Sequence, residues 1–355
     1  MLDFDSTDEM KRFLKRDKHK LLEGMVAEEL FKQDILKKDK IENRTSKGWW
    51  AIEDPLNRSE YMLFHVTEDR PNKYDIEIYE LLLELDILVT HVILQKNNFY
   101  FLEINKQILK SQLKEEDYVH EYLFLVNYGL IKYRSIHLAE REHRDPFLQD
   151  RAIQFIEKQG ILKEVAIQRY FVNHFLTVHF EGFPINLDGL MRARKGLTVF
   201  EVKFKFPFPD DLNNYYYGVN KGQVKLFKWL LQSNIHIYHY IAKNPGNKKT
   251  IGIFEVLSTS ELKQNFYWEA SFLNTSDLDN KDFIAPKETS IAGDKPVYFK
   301  PISAEGFEKD SPVAANLVLP SIPKQTCPKC KEDIIVKNGK YGYYLQCSKH
   351  REHNE

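Results

Sequence analysis

Cysteine is nearly missing from this chain of 355 residues: there are three, Cys327, Cys330 and Cys347, all close to the C-terminal end. So small, odd and clustered a set excludes a disulfide framework for the body of the protein and fits metal binding in a reducing compartment. Charge of one sign is not in excess either, since 51 basic and 52 acidic side chains leave a formal net charge of −1. A highly basic, histone-like protein is excluded, and any polyanion partner has to be held by a local patch. Long hydrophobic runs are absent. The most apolar stretch, ELLLELDILVTHVIL at 80–94, carries Glu80, Glu84, Asp86 and His91, and it falls short of the ~20 apolar residues that a bilayer requires. The first residues, MLDFDSTDEMKRFLKRDKHK, are polar and mixed in sign, without the apolar core of a secretory signal. A cytoplasmic protein with no membrane contact is expected. Internal repeats and low-complexity tracts are missing as well, and the length suggests two or three ordinary domains.

Residues 1–145 read as an α+β domain. It has an amphipathic, charged helix around 7–38, a helix near 75–85, a further helix near 115–128 and an apolar strand at 130–136. Between them, Ile93–Asn105 reads as a hairpin turning at Asn97 and Asn98, because Asn tolerates positive φ. The pattern suits a winged-helix-like module and many other small folds, so the region reads as a packing domain or one that meets a protein partner.

Residues 146–257 are more regular. A helix opening at Pro146 ends near Gly160, and a second covers 161–173 with Glu164 beside its apolar face. Three strand-like runs follow, FLTVHF (175–180), INLDGLMRA (185–193) and LTVFEVKFK (197–205), then a helix, KGQVKLFKWLLQ (221–232), and a β-rich run, IHIYHYIAK (235–243). Residues 258–323 are punctuated by prolines and read as a partly structured connector. Residues 324–355 are too few to bury a core and need a staple.

On a strand over 197–205, Glu201, Lys203 and Lys205 share one face and Val202, Phe204 and Phe206 the other. A turn at Arg194–Gly196 would set Asp188 opposite Glu201. Two carboxylates held that close repel unless a cation lies between them, and hard oxygen ligands suit Mg²⁺ or Mn²⁺. An ammonium two positions from Glu201 would orient water or stabilise charge on a phosphate, which points to metal-assisted phosphodiester hydrolysis. The tripeptide Glu-x-Lys alone carries little, since roughly five chance copies are expected in a chain of this composition. The alternative for such a face is a solvated set of surface ion pairs.

Taken together, INLDGL and FEVKFK resemble the signature of the PD-(D/E)XK nuclease superfamily. Ile185-Asn186-Leu187-Asp188 stands where many members carry Pro-Asp, and Gly189 after the Asp is usual. The resemblance implies a restriction-endonuclease-like αβββαβ core. It makes Asp188 and Glu201 ligands of Mg²⁺ or Mn²⁺, with the Val202 carbonyl contributing, and gives Lys203 the attacking water. Many members add a glutamate from the helix before the first strand, a place that Glu164 fills, with Glu157 as runner-up. Gln223-Val-Lys-Leu-Phe227 resembles the Gln-x-x-x-Tyr element of the RecB-like branch, with Phe for Tyr, and implies that Gln223 touches metal-held water or the substrate backbone. Arg192, Arg194, Lys195, Lys205, Lys221, Lys225 and Lys228 surround these elements as candidate phosphate contacts. Phe206, Phe208, Tyr215, Tyr216 and Tyr217 would stack on bases or, by the more frequent use of aromatic residues, cap the core.

At the C-terminal end Cys327-x2-Cys330 and Cys347-x2-His350 have zinc-ligand spacing, with His353 competing for the fourth place. The stretch resembles the C-terminal zinc ribbons of bacterial type IA topoisomerases, departing at the last ligand. It implies a structural Zn²⁺ and a nucleic-acid surface carrying Lys337, Lys340, Tyr341, Tyr343 and Tyr344. The whole chain thus reads as a Mg²⁺- or Mn²⁺-dependent nuclease acting on DNA in preference to RNA, in a setting such as bacterial defence, restriction or repair. The alternatives are a non-catalytic nucleic-acid-binding or scaffold protein with a degenerate nuclease fold, and an RNA nuclease. Oligomeric state leaves no mark in the sequence.

Overall fold

The computed structural model describes residues 2–38, 41–95, 97–111, 113–130, 145–193, 196–209, 213–245, 251–279, 282–283, 298–309, 334–339 and 342–347. Several helices begin where short polar side chains take up free backbone donors. Ser6 caps α1 (Thr7–Leu14), with acids in the first turn and bases in the last. In α2 (His19–Phe31) buried residues occur all round the circumference, as in a helix held between layers. An Asn72–Asp75 capping box opens α3 (Lys73–Glu84), and α4 (Lys106–Lys110) and α5 (Glu121–Asn127) are short. Asp145 caps α6 (Pro146–Lys158), whose proline sits where no N–H is needed. Next, α7 (Leu162–Phe171) runs through a π-helical turn, Val172–Leu176, into α8 (Thr177–His179), and Asn220 caps α9 (Lys221–Gln232).

The architecture is mixed α/β. One sheet has the spatial order β6 (Val119–His120), β5 (Asn98–Glu103), β4 (Val89–Gln95), β3 (Tyr61–Thr67), β2 (Trp49–Glu53), β7 (Ile185–Leu187), and only β3 and β4 are parallel. The central sheet runs β1 (Thr45–Ser46), β8 (Gly189–Ala193), β9 (Gly196–Lys205), β12 (His236–Lys243), β13 (Trp268–Leu273), β15 (Glu308–Lys309), with β9 and β12 parallel. A small sheet joins β10 (Phe208–Pro209), β11 (Tyr215–Asn220) and β14 (Phe299–Ser303), and β16 (Ile334–Gly339) pairs with β17 (Gly342–Cys347).

The expected hairpin is present as β4 and β5, with Asn97 at φ 66°. Other expectations are revised. Residues 175–179 are helical, not a strand, and Phe180 is the extended residue that ends the helix: Phe171 and Phe175, one turn apart, stack at 5.1 Å, and packing at helical spacing outweighs the β-propensity of FLTVHF. The run 185–193 is two strands in two sheets, broken at Asp188. The segments 1–145 and 146–257 also share sheets, since β7 pairs with β2 and β8 with β1. Each of the two apolar cores draws on both sheets, one beneath α1, α2, α6 and α7, the other beneath α3 and α9. The stretch 258–323 supplies β13, β14 and β15 to sheets, so it is more than a connector.

A buried polar chain crosses the first sheet. His65, 1% exposed, stacks on Trp49 at 4.4 Å between centroids, donates from Nε2 to the Lys47 carbonyl (2.9 Å) and accepts at Nδ1 from the Tyr79 hydroxyl (2.6 Å). The carbonyl can only accept, which fixes the neutral tautomer. Burial pushes the pKa of His65 down to about 3. Below its ordinary value of 6.5 the unfolded chain takes up a proton that the folded chain refuses, so stability falls as the pH drops through this window, by about 1.4 kcal/mol per unit. His65→Phe removes that dependence. Urea unfolding is expected to give a wild-type minus variant difference about 2 kcal/mol smaller at pH 5 than at pH 7, and a difference that does not move with pH would mean that His65 titrates normally.

Candidate active site

The break between β7 and β8 places Asp188 where the chain leaves one sheet and enters the next. Gly189 opposite Phe200 sets the antiparallel register, which carries Asp188 to Glu201. A side chain at 189 would not fit, because a Cβ there would lie 2.9 Å from Thr45 Cγ2 on β1. Asp188 Oδ2 accepts the Val202 N–H at 2.6 Å and the Lys203 ammonium at 3.3 Å. Lys203 also donates to the Val202 carbonyl at 3.1 Å and pairs closely with Glu201 Oε1. From α9, Gln223 Nε2 donates to the same Glu201 oxygen at 2.5 Å, and Asn220 holds Gln223 at its backbone N–H and its side-chain carbonyl, both at 2.9 Å. Asp188, Glu201, Lys203 and Gln223 are thus brought together.

The glutamate that joins them is Glu28 of α2. Asn186 Nδ2 bridges it to Asp188, donating to Glu28 Oε1 at 3.3 Å and Asp188 Oδ1 at 2.8 Å. Burial first, and then the Asp188 charge, push the Glu28 carboxyl well above its usual range, against the pull of Lys203 and Lys47. Glu201 is pushed up to about 7, by burial first and also by Asp188, with Lys203 opposing. Burial would lower the Lys203 ammonium, but the Asp188 and Glu201 carboxylates outweigh it and raise its pKa. Beside the cluster lies a cavity of about 40 Å³, with Glu28, Glu29, Glu164, Asn186 and Asp188 in its wall. That is room for about three small oxygen species.

Glu164, expected beside Asp188, lies in this wall but accepts from Gln168 at 3.3 Å. Glu157 pairs with Lys11 at 2.6 Å instead. Sequence reasoning took the helix nearest before Asp188, whereas the chain supplies α2 from far upstream. The available signal was an acidic pair, Glu28-Glu29, inside an otherwise apolar helix run.

The expected basic surface is largely committed elsewhere. Lys205 is held against the Gly218 carbonyl, and burial, then Lys203, lower its pKa to about 8. Arg192 faces Glu77 at 3.8 Å, Lys225 pairs with Glu53 at 2.6 Å and Lys228 with Asp279. Tyr216 and Tyr217 are buried and Tyr215 is exposed. Arg194, Lys195, Lys340, Tyr341, Cys327, Cys330, His350 and His353 lie outside the described residues. The described backbone there is the β16–β17 hairpin, which carries Lys337, Tyr343, Tyr344 and Cys347 on its strands.

Among the described residues, no group of three His, Cys, Asp or Glu side chains is arranged to hold a metal ion; the Lys203 ammonium stands between Asp188 and Glu201. The chemistry of the donors nonetheless fits a hard divalent cation: carboxylate and carbonyl oxygens beside a small polar cavity, with Glu201 Oε2 buried and without a hydrogen-bond partner. No family model, curated protein or solved structure matches the chain.

Removing the ammonium leaves these acids without their nearest cation. Lys203→Ala is expected to cost about 3 kcal/mol of unfolding free energy at pH 8 in chelator. Added Mg²⁺ should then raise the melting temperature of the variant more than that of the wild type. Equal melting of the two proteins in chelator would mean that other charges balance the cluster.

Proposed function

We propose that the protein is a divalent-metal-dependent nuclease that hydrolyses DNA phosphodiester bonds, built on a restriction-endonuclease-like core formed by α2, β8, β9, α9 and β12. One observation carries the reading: Glu28 of α2, Asp188 of the β7–β8 junction, and Glu201 and Lys203 of β9 meet beside a small cavity that Glu28 and Asp188 line. Asp188, Glu201 and the Val202 carbonyl would hold Mg²⁺ or Mn²⁺, with Glu28 on the far side of Asp188. The cation would supply charge neutralisation to the scissile phosphate. Lys203, already within reach of both acids, turns its ammonium toward the attacking water or a phosphate oxygen. Gln223 fixes Glu201 while this happens. By the resemblance to the nuclease superfamily, water adds to phosphorus, the bond to the 3′ oxygen breaks, and the strand is left with a 5′-phosphate. Zinc held by Cys327, Cys330, Cys347 and His350 would staple the terminal ribbon, whose Lys337, Lys340, Tyr341 and Tyr343 would grip the strand.

The test is incubation of the full chain with circular and linear DNA and with RNA, in Mg²⁺, Mn²⁺ or chelator. Cleavage is expected with metal only, and Glu28→Ala, Asp188→Ala and Lys203→Ala should each lose about 100-fold or more in rate. Glu164→Ala should lose less than Glu28→Ala. Turnover that survives in chelator, or in all three variants, rules out the assignment; binding of DNA without turnover under any metal identifies a scaffold instead. Elemental analysis is expected to find stoichiometric zinc in the wild type and none in Cys330→Ser, and a zinc-free wild type would remove the ribbon from the proposal.

A further inference from the structure

A second cavity lies on another side of α7, with no part in the site above. Glu164 and Gln168 face the carboxylate cavity; Tyr170 and His174, set about a third of a turn round the helix path, face this one. It measures about 430 Å³, within the range of small-molecule sites. Across from Tyr170 and His174 its lining comes from α1 and the turn after it: Glu9, Arg12, Phe13 and Arg16.

The aromatic wall is ordered. Tyr170 and His174 stack at 4.4 Å and 30°, and Phe13 lies 5.9 Å from Tyr170 and 6.0 Å from His174. Partial burial, followed by the charge of Arg16, lowers the pKa of His174, so the imidazole is a neutral flat surface near pH 7. The cationic side is less satisfied. Arg12 has Glu9 only at 3.9 Å and the Asp8 carbonyl at 3.4 Å, and Arg16 has no carboxylate partner among the described residues. The acid next to Arg16 gives it no relief, because Asp17 is locked in a buried, two-point pair with Arg169 at 2.8 Å. Gln149 also ties the carbonyls of Lys15 and Asp17 at 3.0 and 2.5 Å. The turn bearing Arg16 is therefore fixed from beneath while its guanidinium stays available, a preorganised anion contact.

We propose that this cavity binds a 5′-phosphorylated nucleotide, with the phosphate on Arg12 and Arg16 and the base on the Tyr170–His174 pair. Inorganic phosphate alone would use the guanidinium side and leave the aromatic wall empty. A planar base fills that wall by stacking, and Glu9 stands where it can accept from an exocyclic amine or a ribose hydroxyl. The nucleotide is either free or the end of a strand. The inference does not depend on the nuclease reading.

Titration calorimetry on the full chain, with no divalent metal added, tests it. The probes are the four 5′-ribonucleoside monophosphates, adenosine, inorganic phosphate, and tetranucleotides with a 5′-phosphate or a 5′-hydroxyl. At least one monophosphate is expected to bind with a dissociation constant below about 1 mM, and adenosine and inorganic phosphate each about tenfold more weakly. Arg16→Ala should weaken the monophosphate about tenfold, and His174→Ala should weaken it while leaving inorganic phosphate unchanged. Both side chains are exposed, so the fold tolerates the changes. A 5′-phosphorylated tetranucleotide that binds as well as the monophosphate assigns the site to strand ends, and one that binds worse assigns it to free nucleotides. The proposal fails if no monophosphate binds, or if neither variant alters the affinity.

Discussion

The Lys203 ammonium, set between Asp188 and Glu201, is the interaction on which the centre of this molecule depends. Glu201 is 1% exposed and Asp188 6%, and a third acid, Glu28, reaches Asp188 through Asn186. Carboxylates taken out of water at that density repel strongly and have lost their hydration. The protein answers in three ways. One cation touches two of the acids, the backbone N–H of Val202 and two side-chain amides supply hydrogen bonds, and Glu28 is driven toward its protonated form. If any one is removed, the charge left over has no water to solvate it.

That constraint explains an architecture with no boundary between its two halves. A strand that ran straight through residues 185–193 would stay in one sheet. Here the chain changes sheet at Asp188, where the carboxylate turns to take the Val202 N–H. The first three residues of the run close the edge of the N-terminal sheet on β2, and the last five lie between β1 and β9. With the sheets joined there, α2 spans the shared core beside β9 and brings Glu28 to Asp188. The contact between Asn186 and Glu28 crosses 158 positions of sequence, so the cluster assembles only when both halves have folded onto one another.

How much of this could be read from the chain follows from the same geometry. The face shared by Glu201 and Lys203, and the register that sets Asp188 opposite Glu201, rest on strand alternation and one short turn, which are local and therefore legible. Gln223 was reached through the resemblance of Gln223-Val-Lys-Leu-Phe227 to the RecB-like element, and the structure sets it in the first turn of its helix, beneath the Asn220 cap. Glu28 was not: sequence order favours the nearest helix, and α7 does come close enough for Glu164 to line the cavity. The helical 175–179 was hidden for a related reason, since its residues favour strands singly, but one turn apart Phe175 stacks on Phe171 and meets His179 at a tilt. The second cavity was hidden too, because Arg12 and Arg16 meet Tyr170 and His174 only after α1 docks on α7.

The compensation around Glu201 is deliberately incomplete in a physical sense. On β12 the residue paired with Glu201 is His239, and burial, with Lys205 and Lys203 adding to it, keeps that imidazole far below its usual pKa and so neutral. The position where a lysine or arginine would have closed the charge balance is therefore held by a group that brings none, with both of its nitrogens unpartnered among the described residues. Glu201 Oε2 is left unpaired beside it. A structural salt-bridge network would gain by filling both vacancies, since each buried unpaired polar atom costs on the order of 1 to 3 kcal/mol. Carrying that cost is intelligible if, as proposed, the acids also receive a divalent cation. A fully neutralised cluster would have nothing to gain from a further cation, whereas this one keeps an unpaired carboxylate oxygen on Glu201 and a Glu28 carboxyl that burial drives toward its protonated form.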